Sequence, residues 1–238
     1  MPRFFVYNDG MIWSLSSLLS DPIGTLKQLA CLIPVVLLSL TLHEWGHAFA
    51  AHKCGDDTAK NLGRMTLNPF AHLDLIGFAS MLLFGFGWAK PVPVNSRNFR
   101  SYKKGEAIVS LAGVFMNFVL VIAFSILTMF FLYLAYHRSY SWLSSEILWS
   151  VLSLGITINI VLMIFNLLPI FPLDGYHIFE LLFARILPAK VFLFLRRYGQ
   201  FILIGLLMLM HFTCFSPASK LSGLVLKGLS ELAFRWFA

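Results

Sequence analysis

Two stretches of the chain, Ala107 to Tyr136 and Ile147 to Leu173, contain no Asp, Glu, Lys or Arg. A helix that crosses a bilayer needs about 20 predominantly apolar residues, so both read as spans. Composition agrees. Hydrophobic residues make up 58% of the 238 positions and charged residues only 12%, against about 25% in ordinary soluble domains, and the mean hydropathy is +0.79. The expected fold class is therefore an all-α polytopic membrane protein.

The rest of the chain can be read around these two helices. Leu29 to about Ala51 predicts another spanning helix, ended by a basic last turn at His52 and Lys53 and by Gly55. Leu75 to Ala89 is apolar but short and carries Gly77, Gly85 and Gly87, which suits a re-entrant segment. Lys90 to Arg100, with Pro91 and Pro93 among Val92 and Val94, reads as a strand or extended edge at the membrane surface. Together these two predict a short re-entrant or β-hairpin region. The long helices form an antiparallel pair joined near His137 to Glu146. The sequence I-F-P-L-D at Ile170 to Asp174 breaks the second, Gly175 to Leu187 resumes as a shorter amphipathic helix, and Tyr198 to Phe215 is long enough to span. About five to six membrane segments result. From Ser216 the tail alternates charged and apolar residues, as in an interfacial helix lying on the membrane without a partner. The expected organisation is one membrane-embedded domain over 1–238, with an interfacial segment at 1–28, a core at 29–175 and an amphipathic tail at 216–238. Met11 to Leu19 lacks a small-residue cleavage site after it, so the whole chain is read as mature.

The net charge of +7 does not point to nucleic acid, because the basic residues gather in loops between apolar segments. Lys53, Lys60, Arg64, Lys90, Arg97, Arg100, Lys103 and Lys104 cluster between the first span and the long pair, whereas the loop within that pair carries Arg138. The first region is expected to face the cytoplasm, which brings Asp174 to the same side as His47. Cys31, Cys54 and Cys214 have no CxxC spacing and read as apolar filler.

His43-Glu44-Trp45-Gly46-His47 is an H-E-x-x-H sequence. On a helix the two histidines project from one face at a spacing that suits two imidazole ligands on one zinc ion. Catalytic zinc sites take three protein ligands and leave a position for water, whose proton a neighbouring carboxylate receives. His43 and His47 are thus candidate ligands and Glu44 the candidate general base. The uncharged run Leu29 to Leu42 leads straight into the motif, and ionisable groups at membrane depth are costly unless a partner such as a metal holds them.

Asp174 is the strongest candidate for the third ligand, because it directly follows an uncharged run; Pro169 and Pro172 break the helix before it and Gly175 permits a turn after it. Glu180 and His177 compete for the same role. Asn166 and Asn117 lie in apolar stretches, where each either packs one helix against another or faces the reacting carbonyl as an oxyanion donor. Gly113, one turn before Asn117, suits close helix approach. His52 and His72 read as a helix-end cap and a loop residue.

In five blocks the chain resembles the site-2 proteases, intramembrane zinc metalloproteases, in the compact bacterial branch without a PDZ domain. The blocks are H-E-W-G-H at His43 to His47, G-R-M-T-L-N-P-F-A-H-L-D at Gly63 to Asp74, F-G-W-A-K-P-V-P-V-N at Phe86 to Asn95, A-G-V-F-M-N at Ala112 to Asn117 and N-L-L-P-I-F-P-L-D-G at Asn166 to Gly175. Val114 departs from the proline that the family usually carries there. The resemblance implies one Zn2+ held by His43, His47 and Asp174, Glu44 as base and a supporting role for Asn166. It further implies hydrolysis of a membrane-anchored protein substrate in the lipid bilayer of a bacterial cytoplasmic membrane, with the active site towards the cytoplasmic side. Without a visible soluble regulatory domain, control is expected from substrate pre-processing, a regulatory membrane partner or helix movement. The rival reading is a zinc-binding transporter or scaffold, which has no need of a carboxylate at Glu44.

Overall fold

The computed structural model describes residues 20–84, 87–137, 145–213 and 217–237. The first helix, α1 (Pro22–Cys54), starts at an Asp21 cap whose carboxylate accepts the Gly24 N–H at 2.9 Å, with proline in its first turn. It ends as its basic last turn and glycine predict. Gly55 takes the left-handed conformation (φ 110°), its N–H donates to His52 O, and the N–H of Asp56 reaches back to Ala51 O, a Schellman closure. A short helix α2 (Thr58–Asn61) follows, then α3 (Leu75–Phe84), whose ten residues rise only about 15 Å and cannot cross a bilayer. The long helices are α4 (Tyr102–His137) and α5 (Glu146–Asn166); beyond them lie α6 (Asp174–Phe183), α7 (Ala189–Thr213) and α8 (Pro217–Phe237).

Among the described residues four helices, α1, α4, α5 and α7 as far as Leu209, are long and apolar enough to cross a membrane. The expected five to six segments thus include four full spans, with α3 too short to be another. Among the described residues none is in a strand, so Lys90 to Arg100 forms no β-hairpin edge. A strand needs a ladder partner, and Pro91 and Pro93 offer no N–H to one.

The core forms where α1, α4 and α5 meet. Cys31, Leu32, Val35 and Val36 of α1 pack on Leu154 and Ile158 of α5, while Leu120 and Phe124 of α4 pack on Leu152, Ile156 and Ile160 of α5. Nearer the polar end of α1, Ala50 and Ala51 meet Phe99 and Val109. The tail helix is not partner-free: Val225, Leu226 and Leu229 of α8 lie against the α4–α5 cluster. Protein therefore covers part of its apolar side, while Leu221, Leu224, Leu232 and Phe234 stay exposed.

Buried polar groups tie these helices together. Asn159 Nδ2 of α5 donates to Ser39 Oγ of α1 at 3.0 Å as well as to Gly155 O of its own helix. Such a bond fixes the rotation of one helix on another, which apolar contacts within lipid do not.

Candidate metal centre

His43 and His47 lie one turn apart on α1, and both are buried. Across from them, α4 supplies an acceptor for each. His43 Nδ1 faces Asn117 Oδ1 at 3.1 Å, and His47 Nδ1 faces the carbonyl oxygen of Val109 at 2.8 Å. Because these oxygens only accept, each Nδ1 carries a proton, and in the neutral imidazole each Nε2 then presents a bare lone pair. The two Nε2 atoms are 3.1 Å apart, and Asp174 Oδ2 lies 3.4 Å from the first and 3.2 Å from the second.

Three such atoms so close together call for a proton or a metal cation between them. Asp174 Oδ2 is buried with no hydrogen-bond donor, and the three ligand atoms all lie within 4.8 Å of one another. Zinc bonds of about 2.0–2.2 Å at tetrahedral angles put neighbouring ligand atoms about 3.3–3.6 Å apart, close to the separations seen here. The donor set and its spacing fit zinc, and histidines whose far nitrogen is pinned to an oxygen are the usual form of such ligands.

Gly113 makes the arrangement possible. A Cβ at this position would run into His47 Nε2 and the His43 ring, so α4 can approach the histidine pair only with glycine there. Asn117, fully buried, meets His43 through its Oδ1, while its Nδ2 is buried without a hydrogen-bond partner. Asn166, half-buried, donates from Nδ2 to Leu162 O of its own helix at 3.0 Å.

The competing ligands are engaged elsewhere. Glu180 accepts two bonds from Arg196 Nη2 of α7, at 2.9 and 2.8 Å, and Arg196 Nε also donates to the hydroxyl of buried Tyr176 at 2.8 Å. His177 Nδ1 pairs with Glu106 of α4 at 3.0 Å. These contacts join α6, which begins with Asp174, to α7 and α4. His52 pairs with Asp57 at the end of α1, as a cap residue does. His72 is a loop residue, yet buried, and its Nε2 meets Thr66 O at 2.9 Å.

Glu44 is also buried, and Val92 N–H donates to its Oε2 at 2.8 Å. The segment around Val92 is held at several points. Lys90 N–H donates to His72 O, Arg64 Nη2 donates to Lys90 O at 2.8 Å and Pro91 O at 3.3 Å, and Asn95 N–H donates to Asp56 Oδ2 at 2.7 Å. Asp56, Arg64 and the Val92 N–H escaped sequence reasoning; the one available signal was the Asp56-Asp57 pair directly after the Gly55 helix stop.

Asp56 is fully buried. Burial opposes its charge, but bonds from the Thr58 hydroxyl, the Asn95 N–H, the Asn98 amide and the Thr58 N–H outweigh it and hold the carboxyl below the usual carboxylate value of 3.8. A depressed folded value means that Asp56 stabilises the folded state fully above 3.8 and loses this as pH falls through the lower folded value. Protease susceptibility of the 95–98 turn should therefore rise as pH drops below about 4, a response that Asp56→Asn should abolish. Asp56→Ala should cost about 1–3 kcal/mol by leaving buried donors unpaired, read from denaturant resistance in detergent.

Apolar spanning helices enclosing a zinc-fitting triad define a class: a multi-pass membrane metalloprotease. The chain belongs to peptidase family M50, which matches residues 31–210. It is 44% identical over 160 residues to a Bacillus subtilis (strain 168) protein named as the zinc metalloprotease YwhC, covering 67% of this chain and 72% of that one. The Rip2 proteins, also named as zinc metalloproteases, are 31% identical. In Mycolicibacterium smegmatis the match covers 70% of this chain and 64% of the relative; in Mycobacterium tuberculosis (strain H37Rv) it covers 60% and 54%. No solved structure matches significantly. The protein is accordingly a zinc metalloprotease with a protein substrate, embedded in a lipid bilayer.

Proposed function

We propose that this protein is an intramembrane endopeptidase in which His43, His47 and Asp174 hold the zinc ion, Glu44 is the general base, and the substrate is a membrane-anchored protein. The observation that carries this reading is the convergence of two bare Nε2 atoms and the donor-free Asp174 Oδ2, with Glu44 one residue from His43 on the same buried turn. Zinc bound there supplies an acidified water and polarises the scissile carbonyl. Glu44 takes the proton as the peptide carbon is attacked and delivers it to the leaving amine. Asn117 and the Val109 carbonyl keep both imidazoles in the Nδ1–H form that metal binding requires. No reaction step is assigned to Asn166.

The membrane is read as a bacterial cytoplasmic membrane with the site towards the cytoplasmic side, because Lys53, Lys60, Arg64, Lys90, Arg97, Arg100, Lys103 and Lys104 gather beside the end of α1 that carries the motif. Control of cleavage by prior processing of the substrate or by a membrane partner belongs to the same reading.

The test is cleavage of a model transmembrane substrate by purified protein of known zinc content. Glu44→Gln should retain one zinc per chain and lose about 10²–10⁴-fold in kcat, the range set by a positioned acid or base. A Glu44→Gln variant as active as the parent would remove Glu44 from the mechanism, and failure of the zinc-loaded parent on a panel of membrane substrates would remove the substrate class.

A further inference from the structure

Pro91-Val92-Pro93 is a tripeptide with a single backbone donor, since neither proline has an N–H. That donor is aimed at Glu44 Oε2, 2.8 Å away. We infer that the backbone N–H of Val92 is a positioning group for Glu44, fixing one carboxylate oxygen so that the other is left to the attacking water. The inference rests on Glu44 being the proton acceptor.

The surroundings suit such a role. A glutamate side chain turns about three bonds, and its carboxylate offers several lone pairs on two oxygens. One charge-assisted bond from a fixed N–H removes much of that freedom. The N–H is itself fixed, because its segment is held on both sides of Val92: by His72 O and Arg64 at Lys90, by Arg64 again at Pro91, and by Asp56 at Asn95. The last of these anchors is tied in turn to the end of α1 through the Asp56 N–H and Ala51 O. Helix and segment therefore share one frame, and the base is gripped from outside its own helix. The Val92 side chain has no part in this, so removal of the N–H alone should matter.

The experiment compares kcat, KM and zinc content of the parent, Val92→Ala, Val92→Pro and Glu44→Gln on one model transmembrane substrate. Val92→Ala keeps the N–H and should stay within about twofold of the parent. Val92→Pro should lower kcat about 10- to 100-fold, as a misplaced catalytic group does, with KM and zinc content unchanged. Equal kcat for the two Val92 variants, or a loss confined to KM, overturns the inference and leaves the base reading intact. An active Glu44→Gln overturns the base reading itself. Should Val92→Pro lose its zinc, amide exchange at Val92 decides the matter without it: exchange in Glu44→Ala should be about tenfold faster than in the parent. An unchanged rate overturns the inference.

Discussion

Asp174→Ala is expected to lose its zinc on gel filtration and to cut substrate no faster than a zinc-free control, while Glu180→Ala keeps one zinc per chain. Removal of a residue that merely orients a ligand weakens metal binding about 10- to 100-fold, and removal of a ligand itself should exceed that. Asp174 Oδ2 lies 3.4 and 3.2 Å from the two imidazole nitrogens, whereas Glu180 is tied to Arg196 by two bonds. Zinc content after gel filtration is the measurement. Retention by Asp174→Ala together with loss by Glu180→Ala would overturn the ligand set and return the third position to Glu180.

Gly113→Ala should be nearly as damaging, although it removes no functional group. The added methyl would occupy the space of His47 Nε2 and the His43 ring, so the imidazoles or α4 must shift. A displacement of about 1 Å in a catalytic site costs about 10²-fold in rate. Zinc affinity should fall with it. Gly205→Ala on α7 is the control, because no atom lies within 4 Å of a Cβ there, and it should behave as the parent. Comparable activity in both variants would mean that the helices part without cost.

The candidate ligands carry local signals in the sequence. His43, Glu44 and His47 share one helix turn pattern, and Asp174 stands out as a carboxylate at the end of an uncharged run. The spans were legible for the same reason, since hydropathy and length act along the chain. What escaped were the groups whose role depends on another element. Asn117 looked like a packing or oxyanion residue, because nothing in a single helix says that it will meet His43 of a distant one. The Val92 N–H is a backbone group with no side-chain signature. The β-edge expected at Lys90 to Arg100 rested on alternating valines, but the segment's amides find a carboxylate and loop acceptors in place of a neighbouring strand. The tail's amphipathic pattern was legible, although whether lipid or protein covers the apolar face cannot be read from periodicity alone.

The abrupt stop of α1 at Gly55 gives the enzyme a measuring stick. From His47 to Cys54 the helix advances about two turns, or about 10 Å at 1.5 Å per residue, before the chain turns out beside the exposed Lys53 and Arg100. On the proposed intramembrane reading, with those cations at the headgroup level, the reacting carbonyl would lie roughly a third of the way into a hydrocarbon layer about 30 Å thick. If the substrate is membrane-anchored as proposed, its scissile bond is then set by distance from one water boundary, within the first few turns of its anchor on that side. Lengthening that end of the anchor should move the cut along the substrate's sequence while its depth stays constant.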